Sequence, residues 1–283
     1  MPASGVAKPT IQLGATVIHE DEYEFLRFER RENGVLLIEM NRPEFKNAMN
    51  PKLHTELAGV WAEIETDRDV RVVVITGAGS AFSVGGTAAE IDVESFDAEY
   101  AIGQMQEIMA MTYGMIRLDR PIISAINGTA SASGLAVALT ADISIVSETA
   151  KLIDPHVLGG LAAGDHSALL WPLLCGMAKA KYYILSGEVF TGREAERIGL
   201  VSKCVPEAEV LDTALALADK LAVGSQVALR LSKRALNGWY QLASPIFENS
   251  VALEMLSFLH PDATEGITAG RTRRPAQFPS TRN

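Results

Sequence analysis

Apolar positions along the chain follow two different periods, and the changes between them mark the elements. From Tyr23 to Phe28 and from Gly34 to Met40, apolar residues alternate or cluster between short charged turns, the pattern of paired strands. Asn41-Arg42-Pro43 stops the second strand. From Pro51 to Thr66 the spacing becomes helical, with Leu53, Leu57, Val60, Trp61 and Ile64 on one face. The run RVVVIT at 71–76 is apolar without interruption and ends at Gly77, which predicts a central strand covered on both faces. A glycine-containing loop and a helical stretch around Met105 to Leu118 follow. Pro121 to Ile126 reads as a second buried strand closed by Asn127-Gly128, then a small-residue helix from Gly134 to Thr140 and a third strand from Asp142 to Ser147. From Asp165 onward the pattern is mostly helical, with a break at Gly187 and a short strand at Gly199 to Val205.

Strand, loop, helix, strand in succession is the order of an α/β protein with a repeated ββα core. We expect that core over 22–205, a helical section over 206–283 that packs between subunits, and a flexible leader or docking arm over 1–21. Nothing resembling a linker divides the 283 residues, and 48% hydrophobic with 21% charged residues is a globular balance. A net charge of -10 excludes a non-specific nucleic-acid binder, and the basic cluster of Arg271, Arg273 and Arg274 reads as a solvated tail. Cys175 and Cys204 sit in apolar surroundings without metal-ligand spacing, so we expect buried free thiols, no metal, and a reducing, cytoplasmic location. No stretch reaches the roughly 18 apolar residues of a membrane span, and the N-terminus has no secretory signal pattern.

Two loops carry the candidate chemistry. Ala81 to Gly86 follows the first buried strand, and Asn127 to Gly134 follows the second and opens a helix whose first N–H groups are unpaired and positive. Two such donors converging on one oxygen make an oxyanion hole, although glycine-containing turns are also simply tight turns. NRPEFKNAMN at 41–50, VVVITGAGSAFSVGGTAAEI at 72–91 and RPIISAINGTASASGLAVALTADISIVSETA at 120–150 closely resemble the enoyl-CoA hydratase/isomerase, or crotonase, superfamily. LSGEVFTGREAERIGLVSKCVP at 185–206 and HPDATEGITAGRTRRPAQF at 260–278 extend the likeness to about 22–278.

The resemblance implies a crotonase-like fold, assembly as a trimer or dimer of trimers, and an acyl-CoA substrate with no separate cofactor. It implies backbone oxyanion donors at Val84 and Ser133 and coenzyme A contacts along Lys46, Asn47, Ala48, Gly85 and Gly86. Lys46 reads equally as a solvated surface lysine. Gly86-Thr87-Ala88-Ala89 stands where many relatives carry an acidic residue followed by leucine or isoleucine.

Hydratases of the superfamily hold water between two glutamates, and both positions depart here. The first carried-over position is Ala136, and an alanine transfers no proton; the second is His156, after Pro155. His156 stands nine residues before Asp165 in Gly-Asp, which resembles the β-diketone hydrolase branch typified by 6-oxocamphor hydrolase. That branch implies a His-Asp pair activating water for carbon-carbon cleavage, with the enolate released to the oxyanion hole. Histidine suits a base at neutral pH, and an aspartate on the other ring nitrogen would fix its tautomer. His54 also matches a histidine of that branch, and Glu254 is a further substrate-binding candidate from a C-terminal helix. The residues also admit plainer readings: Asp165 as a helix N-cap, His166 as a solvent-facing first-turn residue, and His54 packed beside Trp61 or facing solvent. Three functions stay open: an acyl-CoA hydratase/isomerase-like enzyme using His156 and Asp165, a β-diketone carbon-carbon hydrolase, and a non-catalytic acyl-CoA-binding paralogue.

Overall fold

The computed structural model describes residues 18–89, 91 and 95–282. The expected leader over 1–21 lies mostly outside them; Ile18 is buried and Glu20–Glu22 form a short 3-10 turn. The elements follow in chain order. β1 (Leu26–Arg30) pairs antiparallel with β2 (Val35–Met40). α1 (Pro51–Thr66) starts where the Asn50 side chain accepts the Leu53 N–H and Pro51 presets the first helical turn. Three strand-strand-helix units come next: β3 (Val72–Gly77), β4 (Ala81–Ser83) and α2 (Ala98–Arg117); β5 (Ile122–Ile126), β6 (Thr129–Ser131) and α3 (Ala132–Thr140); β7 (Ile143–Ser147), β8 (Lys151–Ile153) and α4 (Ser167–Ser186). β9 (Phe190–Thr191), α5 (Gly192–Arg197) and β10 (Lys203–Val205) lead into α6 (Val210–Ala222), α7 (Gln226–Leu236), α8 (Gly238–Leu242), α9 (Ser244–Phe258) and α10 (Pro261–Thr272).

The first strand of each unit enters a six-stranded sheet, ordered β1-β2-β3-β5-β7-β10, and the second enters a four-stranded sheet, ordered β4-β6-β8-β9. The large sheet is parallel from β2 onward and covered on both faces, which explains the uninterrupted valines of β3. Val72 and Val74 join Val210, Ala214 and Ala218 of α6, whereas Val73 and Ile75 join Leu53, Leu57 and Trp61 of α1. Each buried Val, Leu or Ile among them contributes about 1.5–3 kcal/mol by leaving water.

Several expectations change. α2 begins at Ala98, well before Met105, because the Asp97 side chain caps it by accepting the Tyr100 N–H. The helix ending at Gly187 is also broken at Gly176, whose φ of 78° lies outside helical space. β4, β6, β8 and β9 have no periodicity to read at two or three residues each. The boundary at 205 falls inside a single core, since α6 seals one face of the large sheet. Cys175 and Cys204 are free but half-buried. Among the described residues, no helix is long and apolar enough to cross a membrane.

Candidate active site

The ends of β3 and β5 place the two loops side by side, and the 41–50 segment holds them there. The fully buried Asn47 amide donates to the carbonyls of Ala78, Ala81 and Phe82 at 2.9–3.1 Å, and its Oδ1 accepts the Arg42 N–H. Ala48 bridges Gly85, and Lys46 offers its carbonyl to the Val84 N–H at 3.2 Å while its side chain is exposed. A Cβ on Gly134 would run into the Ser83 carbonyl oxygen, so the opening turn of α3 touches the first loop directly.

The donor expected at Val84 is occupied in this arrangement. Its N–H is engaged by Lys46, its carbonyl accepts the Ser131 hydroxyl at 2.6 Å, and it does not line the adjoining cavity. The next available amide is that of Gly86, which faces Ser133 with its N–H 3.3 Å from the Ser133 Oγ. Gly86, Ala132 and Ser133 border a cavity of about 450 Å³ that also reaches His54, His156, Asp165 and Glu254. Lys46, Ala48 and Gly85 lie outside that lining and frame the loops instead.

Behind β8, Asp154-Pro155-His156 turns sharply, and the His156 ring comes to rest against its own near neighbour. Nδ1–H donates to Asp154 Oδ1 at 2.6 Å, and the Ser167 hydroxyl donates to the second Asp154 oxygen. The other ring nitrogen, Nε2, faces Asp165 Oδ2 at 3.9 Å and Glu254 Oε1 at 3.8 Å. Asp165 is also held by His166, whose Nδ1 lies 2.6 Å from Oδ1. All of these side chains are buried, His166 and Ser167 completely.

The proposed His-Asp pair is therefore wired differently from the expectation. Asp154, not Asp165, orients the ring, and Asp165 faces the working nitrogen across a gap too long for a direct hydrogen bond. Asp165 does not cap α4, whose cap residue is His166, and His166 is sealed from solvent. His54 does not face solvent; its Nδ1 meets Glu107 Oε2 of α2 at 2.6 Å. Asp154 was legible as an acid two residues before the histidine across a proline turn. His166 and Ser167 carried no signal beyond standing at a helix start.

Burial and charge set the protonation of the cluster. Burial alone would raise the Asp154 carboxyl, but the His156 charge and hydrogen bond, with His166 and Ser167, hold it well below the usual range. Asp165 is likewise lowered, because His166 and His156 outweigh its burial. Burial disfavours a charged His156 ring, yet Asp154, Asp165 and Glu254 around it push its pKa well above the ordinary value. Glu254 takes the strain of so many acids: burial raises it to about 8, with Asp165 and Asp154 adding to the effect and His156 opposing it. Its Oε2 has no hydrogen-bond partner. Near neutral pH the cluster thus holds two carboxylates, an imidazolium and a protonated Glu254, titrating as a unit. His156, Asp165 and Glu254 present ligand atoms within 4.8 Å of one another, a set able to hold either a water or a metal ion.

A family model described as enoyl-CoA hydratase/isomerase matches residues 30–280. A probable enoyl-CoA hydratase of Mycobacterium tuberculosis is 35% identical over 228 residues, 78% of this chain and 79% of that one. The crystal structure of an enoyl-CoA hydratase/isomerase from Mycobacterium paratuberculosis superposes with a TM-score of 0.81 at 31% identity, covering 86% of this chain and 97% of that one. A β-diketone hydrolase from the cyanobacterium Anabaena, bound to (S)-3-oxocyclohexyl acetic acid, superposes with a TM-score of 0.77 at 27% identity, covering 84% and 95%. The match runs through all three strand-strand-helix units and on into the C-terminal helices: the chain belongs to the enoyl-CoA hydratase/isomerase family.

Proposed function

We propose that this family member adds water to a cyclic β-diketone and cleaves the carbon-carbon bond between its carbonyls. One observation carries the reading: His156 Nε2 stands 3.9 and 3.8 Å from two buried carboxyl groups, while Ala136 occupies the position of a hydratase glutamate. Those gaps are too long for direct bonds and suit a water about 2.8 Å from each atom. Once the cluster has lost a proton from Glu254 or His156, it accepts one from that water as the oxygen attacks the carbonyl. Collapse of the adduct breaks the carbon-carbon bond, leaving a carboxylic acid and an enolate. The enolate oxygen takes the N–H groups of Gly86 and Ser133, each contributing about 3 kcal/mol, with the Ser133 hydroxyl rotating aside. Asp154 keeps the His156 ring in place throughout.

The basic residues near the cavity favour a small substrate over a phosphate-bearing one. Arg274 is bonded to Glu265, and Arg271 donates to the carbonyls of Ala88 and Ile91. The ligand of the Anabaena hydrolase supplies a probe, since 3-oxocyclohexylacetic acid is what water leaves on opening bicyclo[2.2.2]octane-2,6-dione. Purified protein is expected to convert that dione to the keto acid, followed by NMR, and His156→Ala to lose the activity.

A second reading, hydration or isomerisation of an acyl-CoA thioester by His156 and Asp165 at the same loops, is favoured by the names of the M. tuberculosis and M. paratuberculosis relatives. Turnover of crotonyl-CoA, with no cleavage of the dione, would replace the first reading with the second. Trimeric assembly belongs to the proposal as well. In its support, α7 and α8 leave Val227, Leu231, Leu236, Trp239 and Leu242 exposed, and sedimentation velocity gives the mass.

A further inference from the structure

Carbon-carbon cleavage needs two proton transfers, one from the attacking water and one to the enolate carbon. The His156 cluster surrounds the place for water. A second proton-handling group lines the same cavity from a different wall. His54 lies on α1 and is buried, with its Nδ1 2.6 Å from Glu107 Oε2 of α2. Glu107 is fixed in turn by the Thr55 hydroxyl, which donates to Oε1 at 2.7 Å. Its hydrogen bond with His54 holds the Glu107 carboxyl below its ordinary value, so it stands ionised. With Nδ1 committed to that carboxylate, Nε2 is the ring nitrogen left to serve the cavity. Arg274, also in the lining, is held by Glu265 and keeps its proton. Outside the His156 cluster, His54 is the one imidazole among the described lining residues.

Resting on the hydrolase reading, we propose that His54 is the acid that protonates the enolate carbon, with Glu107 as its positioning residue. The His54 Nε2–H bond breaks as the new carbon-hydrogen bond forms, and the enolate electron pair returns its oxygen to a ketone. His54 regains its proton from solvent, and the proton taken from water by the His156 cluster returns to solvent. One water is consumed, its oxygen entering the new carboxyl group. Separate stations leave the His156 cluster committed to water while the cleaved carbon is capped from the α1 wall.

The reverse of that step can be measured without cleavage. In D2O the 283-residue protein is incubated with 3-oxocyclohexylacetic acid, and hydrogen loss at ring carbon 4, the carbon beside the ketone that is released in cleavage, is followed by NMR. Wild type is expected to catalyse the exchange. Glu107→Gln and His54→Gln should slow it roughly 10-fold or more, with the Kd for the keto acid unchanged within about threefold. Thr55→Val, which loosens Glu107 without touching the ring, should slow it about two- to fivefold and guards against loss of fold in the other variants. Exchange at the wild-type rate in folded Glu107→Gln protein overturns the assignment. So does a wild type that cleaves the dione but exchanges nothing, which leaves the hydrolase reading standing. A wild type that does neither overturns both.

Discussion

Glu254→Gln tests the charge balance of the cluster and its chemistry together. The residue is 5% exposed, its Oε2 has no partner, and its pKa rises from 4.5 to about 8. At about 1.4 kcal/mol per unit, the preference of the fold for the protonated acid is on the order of 5 kcal/mol. The sign follows from proton binding: between those two values the folded state holds a proton that the unfolded chain releases. The contribution is therefore fully present below pH 4.5 and is lost as the pH climbs through about 8. Glutamine has no proton to lose, so the stability of the variant relative to wild type should grow by about 1.4 kcal/mol per pH unit across that window and level off above it. Urea unfolding of both proteins at pH 6, 7, 8 and 9 reads this difference directly. In the proposed cleavage the base is the deprotonated cluster, so wild-type kcat/KM on the dione should rise with pH and level near the same point. The variant should lose that limb and about 10²-fold in rate. A stability difference that stays flat between pH 6 and 8 would refute a protonated, charge-crowded Glu254.

Asp154→Asn should lower kcat about 10²-fold with little change in KM, since an amide cannot hold the Nδ1 proton as a carboxylate does; steady-state kinetics measures the split. Ser133→Ala should retain kcat within about threefold, because its part is played by the backbone N–H and its hydroxyl merely occupies the Gly86 donor at rest. Gly134→Ala should cost about 1–3 kcal/mol in urea unfolding, as the new methyl meets the Ser83 carbonyl and a Ser83 Cβ 2.7 Å away. Prolonged treatment with EDTA should leave the cleavage rate unchanged if the cluster holds water; loss of activity restored by a divalent cation would reassign His156, Asp165 and Glu254 as ligands.

Long periodic segments were legible because their burial repeats. α1 spans the predicted Pro51–Thr66, and the RVVVIT run is a strand covered on both faces. The short strands of the small sheet were not, since two or three residues give no period. In the site, His156, Asp165, His54 and Glu254 do gather on one cavity, but their partners depend on contacts the sequence leaves implicit. Val84 and Gly86 stand two residues apart in one loop. Lys46, nearly forty positions upstream, takes the Val84 N–H, whereas the Gly86 N–H meets only the Ser133 hydroxyl at the cavity wall. Likewise, the identity of the carboxylate on each nitrogen of His156 follows from a turn at Pro155, and Asp165 takes His166 as its partner where a helix cap was expected.

The close approach of α9 to the loop before α4 bears on how this enzyme can be taken apart. The Ser250 hydroxyl donates to the Gly164 carbonyl at 2.8 Å, and a Cβ at Gly164 would strike the Ser250 carbonyl oxygen. One helical turn beyond Ser250, Glu254 completes the triangle around the His156 nitrogen. A fragment of residues 22–205 would carry both loops and the histidine yet lack this acid. Such a fragment also lacks α6, which seals one face of the large sheet, so it should be inert alone, and turnover should return only where 206–283 restores both that cover and the Gly164–Ser250 contact.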